Sequence, residues 1–114
     1  MRVMVVEDVP DVALTFAGLI RACGHRAQVA HDGESALKMA REFQPQMVFL
    51  DIRLPDMSGY EVAERMRTIE GLGTSRLISV SGYGEDQARA KDAGFDMHLP
   101  KPVSMDSLLA ILNC

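Results

Sequence analysis

Five short apolar runs alternate with five stretches of helical periodicity along the chain, and this alternation narrows the possible folds more than any other feature. The runs cover residues 3–6, 26–30, 47–50, 77–80 and 97–99. Strands separated by helices predict an α/β fold, a doubly wound parallel sheet with helices on both faces. Residues 3–6, 47–50 and 77–80 are nearly continuous apolar segments, as expected of central strands buried on both sides. In residues 26–30 only Ala27, Val29 and Ala30 are apolar, which suits an edge. The fifth run leads into Pro100 and Pro102, and proline is tolerated at strand ends and edges.

Between the runs the period lengthens. Val12, Phe16, Leu19, Ile20 and Cys23 share one helical stripe that Gly24 ends, and Leu37, Ala40 and Phe43 mark a second helix. Val62, Met66 and Ile69 mark the third, and Met105, Leu108, Leu109 and Leu112 the last. A fourth helix, over residues 85–93, offers a core only Ala88, Ala90 and Ala93, which makes it a candidate mobile element. With 114 residues and no repeat or linker, a single domain over residues 1–114 is expected.

Composition excludes several function classes. A net charge of −4 without a basic stripe argues against a phosphate-tracking nucleic-acid surface. No apolar run approaches the roughly 18–20 residues that span a bilayer, and no signal-peptide pattern opens the chain, so a cytoplasmic location without membrane contact is expected. Cys23 and Cys114 show neither metal-ligand spacing nor a disulfide framework. They are expected as a packed free thiol and a frayed one.

Ligands of open α/β sheets bind beyond the carboxyl ends of the strands. There the sequence places Glu7 and Asp8 after the first strand, Asp51 after the third, Ser81 after the fourth and Lys101 after the fifth. Taken singly, each acid reads as a helix cap or solvated loop residue, Lys101 as a surface lysine and Ser81 as a cap. Together they are hard to explain without a ligand, because clustered carboxylates repel unless a cation shares the site. Magnesium suits an all-oxygen set of this kind, and neither histidine nor cysteine is placed to favour zinc or copper. An aspartate held beside such an ion can attack a phosphoryl group, and a lysine and a hydroxyl can steady the transferred oxygens.

The chain resembles the receiver domains of two-component signalling. The resemblance runs nearly end to end, through "VMVVEDVPD", "MVFLDIRLPDMSGYE", "LISVSGYG" and "AGFDMHLPKPVSMDSLLA" in that order. It implies a flavodoxin-like sheet of order 2-1-3-4-5 with five helices. It also implies Asp51 as phosphoacceptor, Asp8 as a direct magnesium ligand, Glu7 acting through a bound water and the Arg53 carbonyl as a further ligand. The implied ion is Mg2+, for which the resemblance implies Mn2+ as a substitute. Ser81 is implied as the hydroxyl that moves to the phosphoryl group, Lys101 as its ion-pair partner, and Lys101–Pro102 as a cis bond. Arg53 and Tyr83 stand where the family tunes acyl-phosphate lifetime.

One position departs from the pattern. Where many receivers carry an aromatic switch residue three positions before the lysine, this chain has His98, which reads either as a switch or as an ordinary edge-strand histidine. The implied partner is a histidine kinase or a histidine phosphotransfer domain. The downstream effector is not written in the sequence. Ending just past its last helical stripe, the chain is expected to carry no output domain, and the wording of "SGYG" and "GFDMHLPKPV" leans toward a piece of a hybrid histidine kinase over a stand-alone regulator. Two other readings compete: a phosphorylation-independent docking module, and a magnesium phosphatase using an aspartyl phosphate. The phosphatase commonly needs a second acid two residues after the nucleophile, where this chain has Arg53.

Overall fold

The computed structural model describes residues 1–82 and 86–114. Strands β1 (Arg2–Val6), β2 (Arg26–Ala30), β3 (Met47–Asp51), β4 (Arg76–Ser81) and β5 (Met97–Pro100) alternate with helices α1 (Pro10–Ala22), α2 (Gly33–Phe43), α3 (Gly59–Arg67), α4 (Gln87–Ala93) and α5 (Met105–Leu112). All strand pairings are parallel, in the order β2-β1-β3-β4-β5.

Because strand side chains alternate in direction, one sheet supplies two cores. Met4, Val6, Val48, Leu50 and Leu77 face α2, α3 and α4, where Leu37, Phe43, Val62 and Met66 close over them. Val3, Val5, Met47, Phe49, Ile78, Val80 and Leu99 face α1 and α5. Phe16 of α1 meets Phe49 there with ring centroids 5.6 Å apart.

The helical stripes needed correction at their edges. Ala13 and Ala17 are fully buried under α1, whereas Val12 is 38% exposed. Small side chains let the helix approach the sheet, and the larger Val12 is left at the rim. Met105 is likewise exposed, and α5 rests on Leu108 and Leu112. In α4 Ala90 and Ala93 are buried but Ala88 is exposed. The α4 start is instead held by buried Tyr60 of α3, whose hydroxyl accepts from the Asp86 amide at 3.1 Å and whose ring lies under the Arg89 guanidinium.

Both cysteine expectations fail. Cys23, at the end of α1, and Cys114, past α5, form a disulfide with Cα atoms 5.6 Å apart across a separation of 91 residues. No free cysteine remains among the described residues. A link closing so long a loop typically contributes ~2–4 kcal/mol.

Caps set the loops that approach the strand ends. Asp32 accepts from the Ser35 amide at 2.7 Å and caps α2. Asp32→Ala is expected to lower stability by about 1 kcal/mol, read as an earlier urea midpoint with unchanged slope.

Candidate functional site

The three acids converge where β1 and β3 end side by side. Glu7 follows β1, its amide donating to the Ala30 carbonyl at 3.0 Å and its own carbonyl accepting from His31 Nδ1 at 2.9 Å. This bracing by β2 turns Glu7 inward, so that it is only 4% exposed, while Asp8 beside it stays in solvent. Asp51, the last residue of β3, is also 4% exposed. Carboxylate oxygens of Glu7, Asp8 and Asp51 all lie within 4.8 Å of one another.

Lys101 enters from β5, whose register against β4 is locked where the Lys101 amide donates to the Ser81 carbonyl at 2.9 Å. Its Nζ donates to Asp51 Oδ2 at 3.0 Å and to Glu7 Oε1 at 3.3 Å. The Lys101–Pro102 bond is cis. On the other side the Arg53 amide donates to Asp51 Oδ1 at 3.0 Å, so both Asp51 oxygens are oriented.

The electrostatics follow from this crowding. Burial, then a hydrogen bond and charge repulsion from Asp51, push the Glu7 carboxyl up to about 7 against the pull of Lys101. For Lys101, burial favours the neutral amine, but the hydrogen bond and charge of Asp51, reinforced by Glu7, outweigh it and raise its pKa.

Among the described residues, buried Glu7 Oε2 and Ser81 Oγ have no hydrogen-bond partner. A buried carboxylate oxygen without a partner is costly, and an electropositive ligand would satisfy it. With three carboxylates around it, the site fits a hard divalent cation bound through oxygen.

The loop after β3 closes tightly. The Gly59 amide donates to the Ile52 carbonyl at 2.7 Å, and Arg53 and Ser58 form a bridge. A Cβ at Gly59 would collide with the Asp51 carbonyl oxygen, which leaves room for glycine alone. At the loop tip Asp56 accepts from the amides of Gly33 and Glu34 at 2.8 and 2.9 Å, bonds that hold its carboxyl below the usual range. Asp56 escaped the sequence reading because its partners lie more than twenty positions away. "PDMSG" looks like an ordinary turn, and nothing in it points to α2.

Of the remaining candidates, His98 is half-buried on β5 with Nδ1 3.0 Å from the Ser79 hydroxyl. Tyr83 lies outside the described residues. A cleft of about 360 Å³ opens beside Lys101, lined by Asp11, Val12, Thr15, Phe16, Pro102 and Val103.

This fold and acidic cluster are those of a receiver. Residues 3–113 match the response regulator receiver domain, and the chain belongs to that family. Members of the family are modules of two-component signalling that bind a divalent metal and interact with histidine kinases or phosphotransfer proteins.

Among relatives, the chain is 33% identical to the polar-differentiation response regulator DivK of Brucella ovis, over 97% of this chain and 92% of that protein. It is 32% identical to the sensor histidine kinase AtsR of Burkholderia thailandensis, over 99% of this chain but only 19% of the kinase. The receiver domain of sensor histidine kinase PA1611 from Pseudomonas aeruginosa, solved with a magnesium ion coordinated in its active site cleft, aligns with TM-score 0.88 at 25% identity, covering 98% of this chain and 93% of that one. The chemotaxis protein CheY4 of Vibrio cholerae shares the fold with TM-score 0.93 at 21% identity, covering 98% of this chain and 95% of that one. Among the described residues no helix is long and apolar enough to cross a membrane.

Proposed function

We propose that this chain is the phosphoacceptor of a two-component or phosphorelay system, taking a phosphoryl group from a phosphohistidine onto Asp51. The observation that carries this reading is the posture of Asp51: a buried carboxylate at a strand end, with one oxygen fixed by the Arg53 amide and the other by Lys101. In the reaction one Asp51 oxygen attacks phosphorus while the phosphorus–nitrogen bond to the donor imidazole breaks. The imidazole nitrogen keeps the electron pair and takes a proton from water. Lys101 then shifts from the Asp51 carboxylate to a phosphoryl oxygen, and Ser81 Oγ donates to another.

Asp8, Asp51 and the Arg53 carbonyl would hold Mg2+ or Mn2+ directly, with Glu7 reaching it through water. Such an ion neutralises the charge of carboxylates and phosphoryl oxygens brought together. The magnesium held by the PA1611 receiver supports this assignment.

The donor is a histidine kinase or a histidine phosphotransfer domain, and Val9, Val12 and Leu14, all exposed about the start of α1, offer it an apolar landing. Engagement of Ser81 changes the end of β4 and, through it, the face formed by α4 and β5, where His98 sits; Arg53 and Tyr83 set the lifetime of the acyl phosphate. The domain turns over no separate substrate. The similarity to AtsR supports a place within a hybrid histidine kinase, and that to DivK a stand-alone regulator; in either setting the proposed location is cytoplasmic.

Intact mass after incubation with acetyl phosphate and Mg2+ tests the proposal. One phosphoryl addition is expected, absent from Asp51→Asn and in EDTA. Equal addition to the variant would overturn the assignment of Asp51.

A further inference from the structure

The Cys23–Cys114 disulfide lies at the opposite end of the sheet from the acidic cluster and takes no part in the phosphoryl chemistry. It joins the ends of two helices on the same face of the sheet.

Each cysteine is placed by backbone hydrogen bonds that do not depend on the sulfur–sulfur bond. After α1, the Gly24 amide donates to the Arg21 carbonyl and the His25 amide to the Ile20 carbonyl, with Gly24 left-handed at φ 88°. After α5, the Asn113 amide donates to the Ala110 carbonyl and the Cys114 amide to the Leu109 carbonyl, with Asn113 left-handed at φ 56°. Both are Schellman endings, which fix the chain direction at a helix terminus. Each helix end therefore keeps its local turn when the sulfur–sulfur bond opens, so that the two thiols can meet again and the bond re-form. Cys114 is exposed and Cys23 partly so, within reach of a small thiol. Exposed disulfides are the labile ones.

What the bond restrains is also visible. Only Leu108 and Leu112 of α5 are buried, and apart from the disulfide the far end is tied to the α1 side by a His25 Nε2–H donated to the Leu112 carbonyl at 3.1 Å. The near end of α5 follows Lys101, Pro102 and Val103, which line the cleft.

We propose that Cys23 and Cys114 form a reversible dithiol/disulfide couple, exchanging with low-molecular-weight thiols of the glutathione class, that locks the far end of α5 to α1 when oxidised and releases it when reduced. A glutathione thiolate attacks Cys114 Sγ, the sulfur–sulfur electron pair leaves on Cys23 Sγ, and that sulfur takes a proton. A second thiolate attacks the glutathione sulfur of the mixed disulfide. Cys114 Sγ leaves and takes a proton, and glutathione disulfide carries away the oxidation.

The test equilibrates the whole chain in buffers of graded glutathione to glutathione disulfide ratio, traps thiols by alkylation for intact mass, and follows amide hydrogen exchange. Two interconverting forms are expected, reached from either direction. Residues 106–114 should exchange about tenfold or more faster in the reduced form, with β1 and β3 unchanged. Cys114→Ser, and separately Cys23→Ser, should show the fast exchange in every buffer. A bond that glutathione opens only after urea unfolding, a chain trapped as glutathione adducts, or identical exchange in both forms would overturn the proposal. None of these readouts involves Asp51, so the outcome is independent of the phosphoryl reading.

Discussion

Lys101→Ala is expected to slow phosphoryl incorporation at Asp51 by about ten- to a hundredfold while leaving the protein folded. Lys101 Nζ lies 3.0 Å from Asp51 and 3.3 Å from Glu7, and its side chain is 34% exposed, so truncation opens the site to water without hollowing the core. A hydrogen bond to a charged group contributes ~1.5–3 kcal/mol, which is that range in rate when it acts on the transition state. The same variant brings Glu7 and Asp51 together without a cation, so its carboxyl should titrate higher still. Unchanged labelling kinetics with acetyl phosphate would remove Lys101 from the mechanism.

A second large effect is a stability that falls with rising pH in the absence of metal. The Glu7 carboxyl moves from its ordinary 4.5 to about 7 in the folded chain, so between those values the native state holds a proton that the unfolded state has released. Native proton uptake in excess of the unfolded chain makes the slope of stability against pH negative. The contribution is fully present below about 4.5 and is lost as the pH rises through about 7. Its size is on the order of 3 kcal/mol. Urea unfolding in EDTA from pH 5 to 8 should show this fall in the wild type and its absence in Glu7→Gln. Since a divalent cation competes with that proton, stabilisation by Mg2+ should grow over the same interval. Parallel profiles for the two proteins would contradict the burial argument for Glu7.

The sequence located all five strands to within a residue or so at each end, because three are near-continuous apolar runs and the two edge strands are short apolar or alternating segments set off by polar residues and, for β5, prolines. It also placed Glu7, Asp8, Asp51, Ser81 and Lys101 at strand ends, and the structure clusters the three acids and seats the lysine on Glu7 and Asp51. Strand order came from the family resemblance, since periodicity carries no information about neighbours. What stayed hidden depends on distance along the chain. The Cys23–Cys114 bond spans 91 residues, and Asp56 meets α2 through two backbone amides that no side-chain pattern reports. Arg67 is a similar case, with its guanidinium joining Asp96 at 2.9 Å and the Gly94 carbonyl, so that α3 holds the end of α4. Helix faces were misjudged where size outweighed polarity: Ala13 and Ala17 packed against the sheet, and Val12 and Met105 were left in solvent.

The central claim is that Asp51 itself carries the phosphoryl group. The most direct measurement is to label the chain with acetyl phosphate and Mg2+, reduce the acyl phosphate with borohydride, and locate the resulting alcohol by peptide mass mapping. Reduction at position 51 alone is the predicted result. An alcohol at position 8 or elsewhere, with Asp51 intact, would contradict it.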